Sequence, residues 1–337
     1  RKSVEPPSSP DDNQLSEERP TETQPPSRSA LSIAVPAAIL ILALALRMWG
    51  LTWGLPNERH VLSYHPDEGV NLVSGVLDEG QLRPHLDIKF YHYGSLYFYA
   101  WQVGVALNRS YGVIKYPVTG QPNSPVSDSP AAMIFVGRLL SAFFGVGTVA
   151  LLIALGTRLF RRELGWCAGL LFAVIPAAVL HGHYATVDSA ATFFVTLALL
   201  VSAKLFQQTT PKALLLAGFC CGLAGAAKYN AILVFAAPMM ILLSKRPFEL
   251  PRIAREKTIM VAGVLIGFLI ACPGVFLNFD GFKKDFLFEL NKSREGMGTL
   301  FVDTGNGWVY TLSTSFRYGL GIPLLLAFLM AIVWSFL

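Results

Sequence analysis

Charge is scarce in this chain. Of its 337 residues, 15% are Asp, Glu, Lys or Arg, where soluble domains carry roughly 25%. That shortage, with repeated apolar runs of about 18–25 residues, excludes an ordinary soluble domain and points to a polytopic membrane protein. Cysteine is scarce too. Cys167, Cys220, Cys221 and Cys272 all fall in or beside apolar segments and none has metal-binding spacing. This argues against a disulfide framework and leaves small buried core residues. The stretch before Ala30 is polar where a cleavable signal peptide would be apolar, so it is not expected to be one. The net charge of +5 is small, and its clusters in the loops are read as topology rather than as nucleic-acid binding. Large apolar residues are nearly absent from 1–29, a Pro-, Ser-, Glu-, Gln- and Thr-rich stretch expected to be a disordered cytoplasmic tail.

What remains is an all-α polytopic membrane domain over 30–337. Apolar segments run over 30–53, 131–159, 166–180, 188–206, 213–227, 231–243, 258–276 and 310–337. The chain stops inside the last of these, so further C-terminal segments are expected. Arg47 near the end of the first segment is expected to snorkel, with Trp49 and Trp53 in an interfacial belt. The stretch 54–130 is polar and aromatic, with a short helix expected over 69–77. The aromatic-rich stretch 95–107 is too short to span and is read as a helix lying on the membrane. With the N-terminus in the cytoplasm, Arg158, Arg161 and Arg162 fall inside. So do Lys204, Lys212, Lys245, Arg246, Arg252, Arg255 and Lys257, as the positive-inside rule requires. The outer face then collects 54–130, 181–187, 228–230 and 277–309. Gly218 and Gly222 have the spacing of close helix packing. Asn108 and Asn291 sit in glycosylation sequons.

The outer face carries the candidate chemistry. Tyr64-His65-Pro66-Asp67-Glu68 follows the first span. Pro66 with two acids behind it also suits a plain helix N-terminus. Asp67 is the residue expected to act on a lipid-borne substrate. Arg138, just inside a helix, is either an anion contact through its fork or an Arg reaching headgroups. Lys228, bracketed by two apolar helices, is either a phosphate contact or a helix-end Lys. Such groups at membrane depth cost roughly 2.5–3.5 kcal/mol on insertion scales, so they usually face a cavity or a partner. His65, His181, His183 and Asp188 are candidates for a divalent metal or for substrate, and Asp188 also suits a helix start. Tyr93, Tyr184 and Tyr229 are expected to line the substrate site.

In order and spacing these pieces resemble the GT-C type membrane glycosyltransferases, which take sugar from a polyprenyl-phosphate carrier. Relatives include the protein O-mannosyltransferases and aminoarabinose transferases. The resemblance rests on His65-Pro66-Asp67-Glu68, Tyr93-Gly94-Ser95-Leu96-Tyr97, Arg138-Leu139-Leu140-Ser141, Gly156-Thr157-Arg158-Leu159-Phe160, Ile175-Pro176, Tyr184-Ala185-Thr186-Val187-Asp188 and Ala227-Lys228-Tyr229-Asn230. It implies Asp67 as catalytic base, Glu68 as its support, and a late outer loop over the site. Relatives often carry Lys-Pro-Pro-Leu where this chain has Tyr93-Gly94-Ser95-Leu96.

The expected activity is inverting transfer of a sugar from a polyprenyl-phosphate donor to a hydroxyl of a protein, lipid or glycan. It would occur at the non-cytoplasmic face of a bacterial or archaeal plasma membrane or the endoplasmic reticulum. General-base help from Asp67 would be worth about 10²–10⁴ in rate. Arg138 and Lys228 would stabilise the leaving phosphate, and a divalent metal would share that task. The alternatives are a transporter, which would place its ionisable groups near mid-membrane, and a non-catalytic lipid-binding subunit indifferent to Asp67.

Overall fold

The computed structural model describes residues 30–78, 80, 85–118, 121–245, 249–295 and 305–334. The tail expected over 1–29 lies outside the described residues. The first helix is α1 (Ala30–Met48), followed by α2 (Pro66–Asn71) and a single wide turn over Leu72–Val76. Next come α3 (Leu96–Tyr111), a hairpin of β1 (Tyr116–Val118) and β2 (Gln121–Val126), and the long α4 (Pro130–Leu159). The bundle continues with α5 (Arg162–Val174), α6 (Pro176–His181), α7 (Asp188–Ser202), α8 (Pro211–Ala227), α9 (Ala236–Ser244) and α10 (Leu250–Ala271). Last are α11 (Gly274–Leu277), α12 (Phe279–Glu295), α13 (Gly307–Tyr310), α14 (Arg317–Leu320) and α15 (Ile322–Trp334).

The architecture is helical, as expected, with one small antiparallel hairpin between α3 and α4 that sets Tyr116 opposite Val126. Among the described residues three helices are long and apolar enough to cross a membrane: Leu31–Met48, Pro130–Leu159 and Asp188–Phe206. At 1.5 Å per residue the 30-residue α4 is about 45 Å long, ample for the apolar core of a bilayer. Other expected spans are broken. Pro176 divides 166–180 into α5 and α6 because it offers no N–H to Phe172, one turn back.

That break finds its partner in α1. Arg47 does not snorkel. It is fully buried, and it donates to the carbonyls of Ala43 (3.2 Å), Ala173 (3.2 Å) and Phe172 (3.4 Å). A cation at the C-terminus of α5 meets both the freed carbonyls and the negative end of the helix dipole. Gly145 leaves the room it needs, since a Cβ there would lie 2.5 Å from Arg47 Nε.

Close packing of α8 on α10 follows from small residues on both helices. A Cβ on Gly218 or Gly222 would lie 2.0 or 2.2 Å from the carbonyl oxygens of Met260 or Val264, and Gly263 and Gly267 reciprocate against Leu215 and Phe219. The α3 helix buries Tyr97, Phe98 and Trp101 in the main core and leaves Val103, Leu107 and Tyr111 exposed. Trp101 Nε1 donates to the Met133 carbonyl at 2.8 Å and Tyr97 Oη to that of Gly137 at 2.9 Å, which fixes α3 across the start of α4. The Asn108 sequon is spent on structure: its side chain is buried and donates to the carbonyls of Ile114 and Ser127.

Candidate active site

The site begins at α2. Pro66 occupies the first turn with Asp67 and Glu68, and His65 caps the helix, its Nδ1 accepting from the Asp67 N–H at 3.3 Å. The two adjacent acids take different fates because successive helical residues face different ways. Glu68 points inward and is fully buried. Asp67 stays exposed, and its carboxylate has no hydrogen-bond partner among the described residues.

Glu68 meets Arg138 in a two-pronged pair. Arg138 Nε donates to Oε1 at 2.8 Å and Nη2 to Oε2 at 2.6 Å. Nη2 also reaches Ser63 Oγ at 3.3 Å, and Nη1 donates to the carbonyls of Leu51 (2.8 Å) and Trp53 (2.6 Å). All five guanidinium N–H donors are therefore engaged. Glu68 completes its shell with the Ser63 hydroxyl and the Ala185 N–H at 2.7 Å. This corrects the expectation that Arg138 binds a donor phosphate. It is 1% exposed with no donor left to give, and it ties the end of α1, α2, α4 and the loop before α7 into one piece.

Lys228 stands differently. Its Nζ lies 2.7 Å from Asp188 Oδ1, with both side chains about one-third exposed. His181 Nδ1 lies 3.9 Å from Asp188 Oδ2. Lys228 sits just past the end of α8, where the backbone turns extended, and it lines an apolar cavity of about 620 Å³. Phe268, Phe282, Phe286 and Leu290 form much of the apolar wall; His92, Tyr93, Asn230 and Glu289 join Lys228 at the polar part.

The first outer loop is pressed onto this end of α8. A Cβ on Gly94 would lie 1.9 Å from the Ala226 carbonyl oxygen, so only glycine allows the approach. Tyr229 Oη donates to the carbonyls of Tyr91 (2.8 Å) and Tyr93 (3.0 Å). The Tyr93 phenol is pushed up to about 12, first by burial and then by the carboxylates of Asp67, Glu289 and Asp188. Three acids from distant parts of the chain thus bear on one hydroxyl, which stays protonated at neutral pH.

The remaining expected residues are dispersed. Tyr184 packs on His65, with ring centroids 4.5 Å apart, and lies 5.7 Å from the Arg138 guanidinium carbon. It lines a separate apolar cavity of about 810 Å³, with His183 and Arg138. The two nitrogens of His183 lie 2.7 and 2.8 Å from the carbonyl oxygens of Val179 and Trp49. Among the described residues no group of three or more His, Cys, Asp or Glu converges to hold a metal ion.

The sequence reading missed Asp285 and Glu289 of α12. Asp285 Oδ2 accepts from the Tyr91 N–H at 2.8 Å, and one turn on, Glu289 Oε1 accepts from His92 Nδ1 at 3.0 Å. The four-residue spacing of these acids beside Phe282 and Phe286 was the available signal.

A profile of the dolichyl-phosphate-mannose-protein mannosyltransferase family matches residues 89–286, more than half of the chain. The chain belongs to this family. No curated protein matches it. Among solved structures it is similar to a chain of the S. cerevisiae protein O-mannosyltransferase Pmt1-Pmt2 complex bound to the sugar donor, with a TM-score of 0.52 and 15% identity. The match covers 76% of this chain and 35% of that one, so the chain spans about a third of the length of that relative. At this identity the likeness shows a shared membrane fold, in keeping with the GT-C type expected from the motifs.

Proposed function

We propose that this family member transfers a sugar, with mannose as the first candidate, from a polyprenyl-phosphate carrier to a hydroxyl group at the non-cytoplasmic face of the membrane. The observation that supports this reading best is the cavity with an apolar wall and Lys228 at its polar end. An isoprenoid tail fits the wall formed by Phe268, Phe282, Phe286 and Leu290, and a phosphate fits the cation. A phosphate there competes with Asp188, which lies 2.7 Å from the Lys228 Nζ.

In this mechanism Asp67 accepts the proton of the acceptor hydroxyl as that oxygen attacks the anomeric carbon. The bond from the anomeric carbon to the phosphate oxygen breaks, and the polyprenyl phosphate leaves with one more negative charge. Lys228 stabilises that charge in a partly water-excluded setting. A single displacement inverts the anomeric centre. Glu68 and Arg138 hold the backbone on which Asp67 rides. The acceptor class that best fits the family is a protein hydroxyl.

The test is purified protein in lipid nanodiscs, given polyprenyl-phosphate mannose and an acceptor peptide rich in Ser and Thr. Asp67→Asn is expected to retain donor binding and the fold while losing turnover by about 10²-fold or more. Near-normal turnover in that variant rejects Asp67 as the base.

A further inference from the structure

Resting on the reading just given, we propose that Glu289, held by His92, is the residue that recognises the hydroxyl groups of the transferred sugar. Phe282, Phe286 and Leu290 recur every four residues of α12 and line the Lys228 cavity, and Glu289 lines it beside them. One helix thus supplies an apolar wall for a lipid and, next to it, a carboxylate at the polar end.

Glu289 is placed rather than loose. Oε1 accepts from His92 Nδ1 at 3.0 Å, and Lys292 Nζ stands 3.6 Å from the same oxygen. Oε2 carries no partner among the described residues. The preceding turn is anchored separately, by Asp285 to the Tyr91 N–H. The side chain is 23% exposed, open enough to meet a ligand and sheltered enough for a hydrogen bond to count.

The chemistry suits a sugar and does not suit a phosphate. An ionised carboxylate only accepts hydrogen bonds, and sugar hydroxyls donate them. Such charge-assisted bonds are the stronger kind. The same charge repels a phosphate, so Glu289 has no use as an anion contact. The Tyr93 hydroxyl, whose proton Asp67, Asp188 and Glu289 all help to retain, supplies a donor on the same side. A phosphate on Lys228 leaves the attached sugar ring in the cavity that Tyr93 and Glu289 also line, with Asp67 left for the incoming hydroxyl.

The experiment compares binding of three probes to wild-type protein, Glu289→Gln and Glu289→Asp in nanodiscs: polyprenyl phosphate, polyprenyl-phosphate mannose, and monodeoxy-mannosyl analogues of the latter. In the wild type at least one monodeoxy analogue is expected to bind roughly 10–100-fold more weakly than the full sugar. Glu289→Gln is expected to weaken the mannose-bearing lipid by a similar factor and to erase the preference against that analogue. Its affinity for the sugarless phosphate should be unchanged or higher, which a merely structural role would not produce. Glu289→Asp should keep part of the preference. Equal weakening of all three probes, or a preference that survives Glu289→Gln, overturns the proposal. A wild type that binds neither polyprenyl phosphate nor its mannosyl form overturns the donor reading itself, and this proposal with it.

Discussion

Glu68 and Arg138, 70 residues apart in sequence, share two parallel hydrogen bonds of 2.8 and 2.6 Å while both are essentially sealed from solvent. Breaking one member of such a buried pair strands the other's charge, at a cost of about 3–5 kcal/mol. Arg138→Met and Glu68→Gln are each expected to lower the thermal midpoint steeply. Arg138→Lys should not rescue, since an ammonium cannot fork onto two oxygens and two carbonyls at once. The double variant Glu68→Gln/Arg138→Met should lose less than the sum of the singles. A wild-type midpoint for Arg138→Lys in a detergent melt would contradict the clamp.

Lys228 and Asp188 should separate in a binding assay. Lys228→Gln removes the only side-chain cation lining the apolar cavity among the described residues. It is expected to weaken polyprenyl-phosphate binding roughly tenfold or more. Asp188→Asn frees Lys228 of its 2.7 Å partner and should leave that affinity equal or improved. Weaker binding in both variants would mean that the pair acts as a strut.

The Tyr93 phenol gives a spectroscopic handle. In an alkaline titration read as wild type minus Tyr93→Phe, its absorbance change is expected near pH 12, against about 10 for a free tyrosine. The fold favours the neutral phenol. Its contribution to stability is therefore complete below about pH 10 and is lost as the pH climbs through 12. Asp67→Asn and Glu289→Gln should each bring the titration down, because each removes a negative charge that opposes ionisation. A midpoint unmoved by both would place those acids away from the hydroxyl.

Arg47→Leu tests the break at Pro176. The carbonyls of Phe172 and Ala173 lose their donor, and buried unsatisfied acceptors cost about 1–3 kcal/mol each. The melt should move accordingly, while donor turnover per folded molecule stays near wild type. An unchanged melt would show that water or lipid replaces the guanidinium at no cost.

Periodicity and composition made the helical bundle legible, because apolar runs bounded by Pro, Gly and basic residues leave few alternatives. The glycine pairs of α8 read correctly for the same reason: spacing alone implies close approach. The site was legible only in its parts. Tyr93, Lys228 and Asp188 do gather, and Asp67 acts on the same phenol. Arg138 misled because a sequence shows a cation near a membrane face but not the carboxylate waiting 70 residues earlier. Arg47 misled likewise, since snorkelling is the default for an arginine near a helix end and two of its three carbonyl partners, those of Phe172 and Ala173, lie over a hundred residues away. Glu289 was overlooked within a loop read as a cover, although its helix carries a regular apolar stripe.

The Arg47 arrangement also bears on how the chain is made. The guanidinium emerges from the ribosome 125 residues before the Phe172 carbonyl that will hold it. Until α5 and its proline break have been synthesised, only the Ala43 carbonyl within the first helix can receive that charge. Two of the three carbonyls that hold the guanidinium in the finished fold thus become available only when α5 arrives.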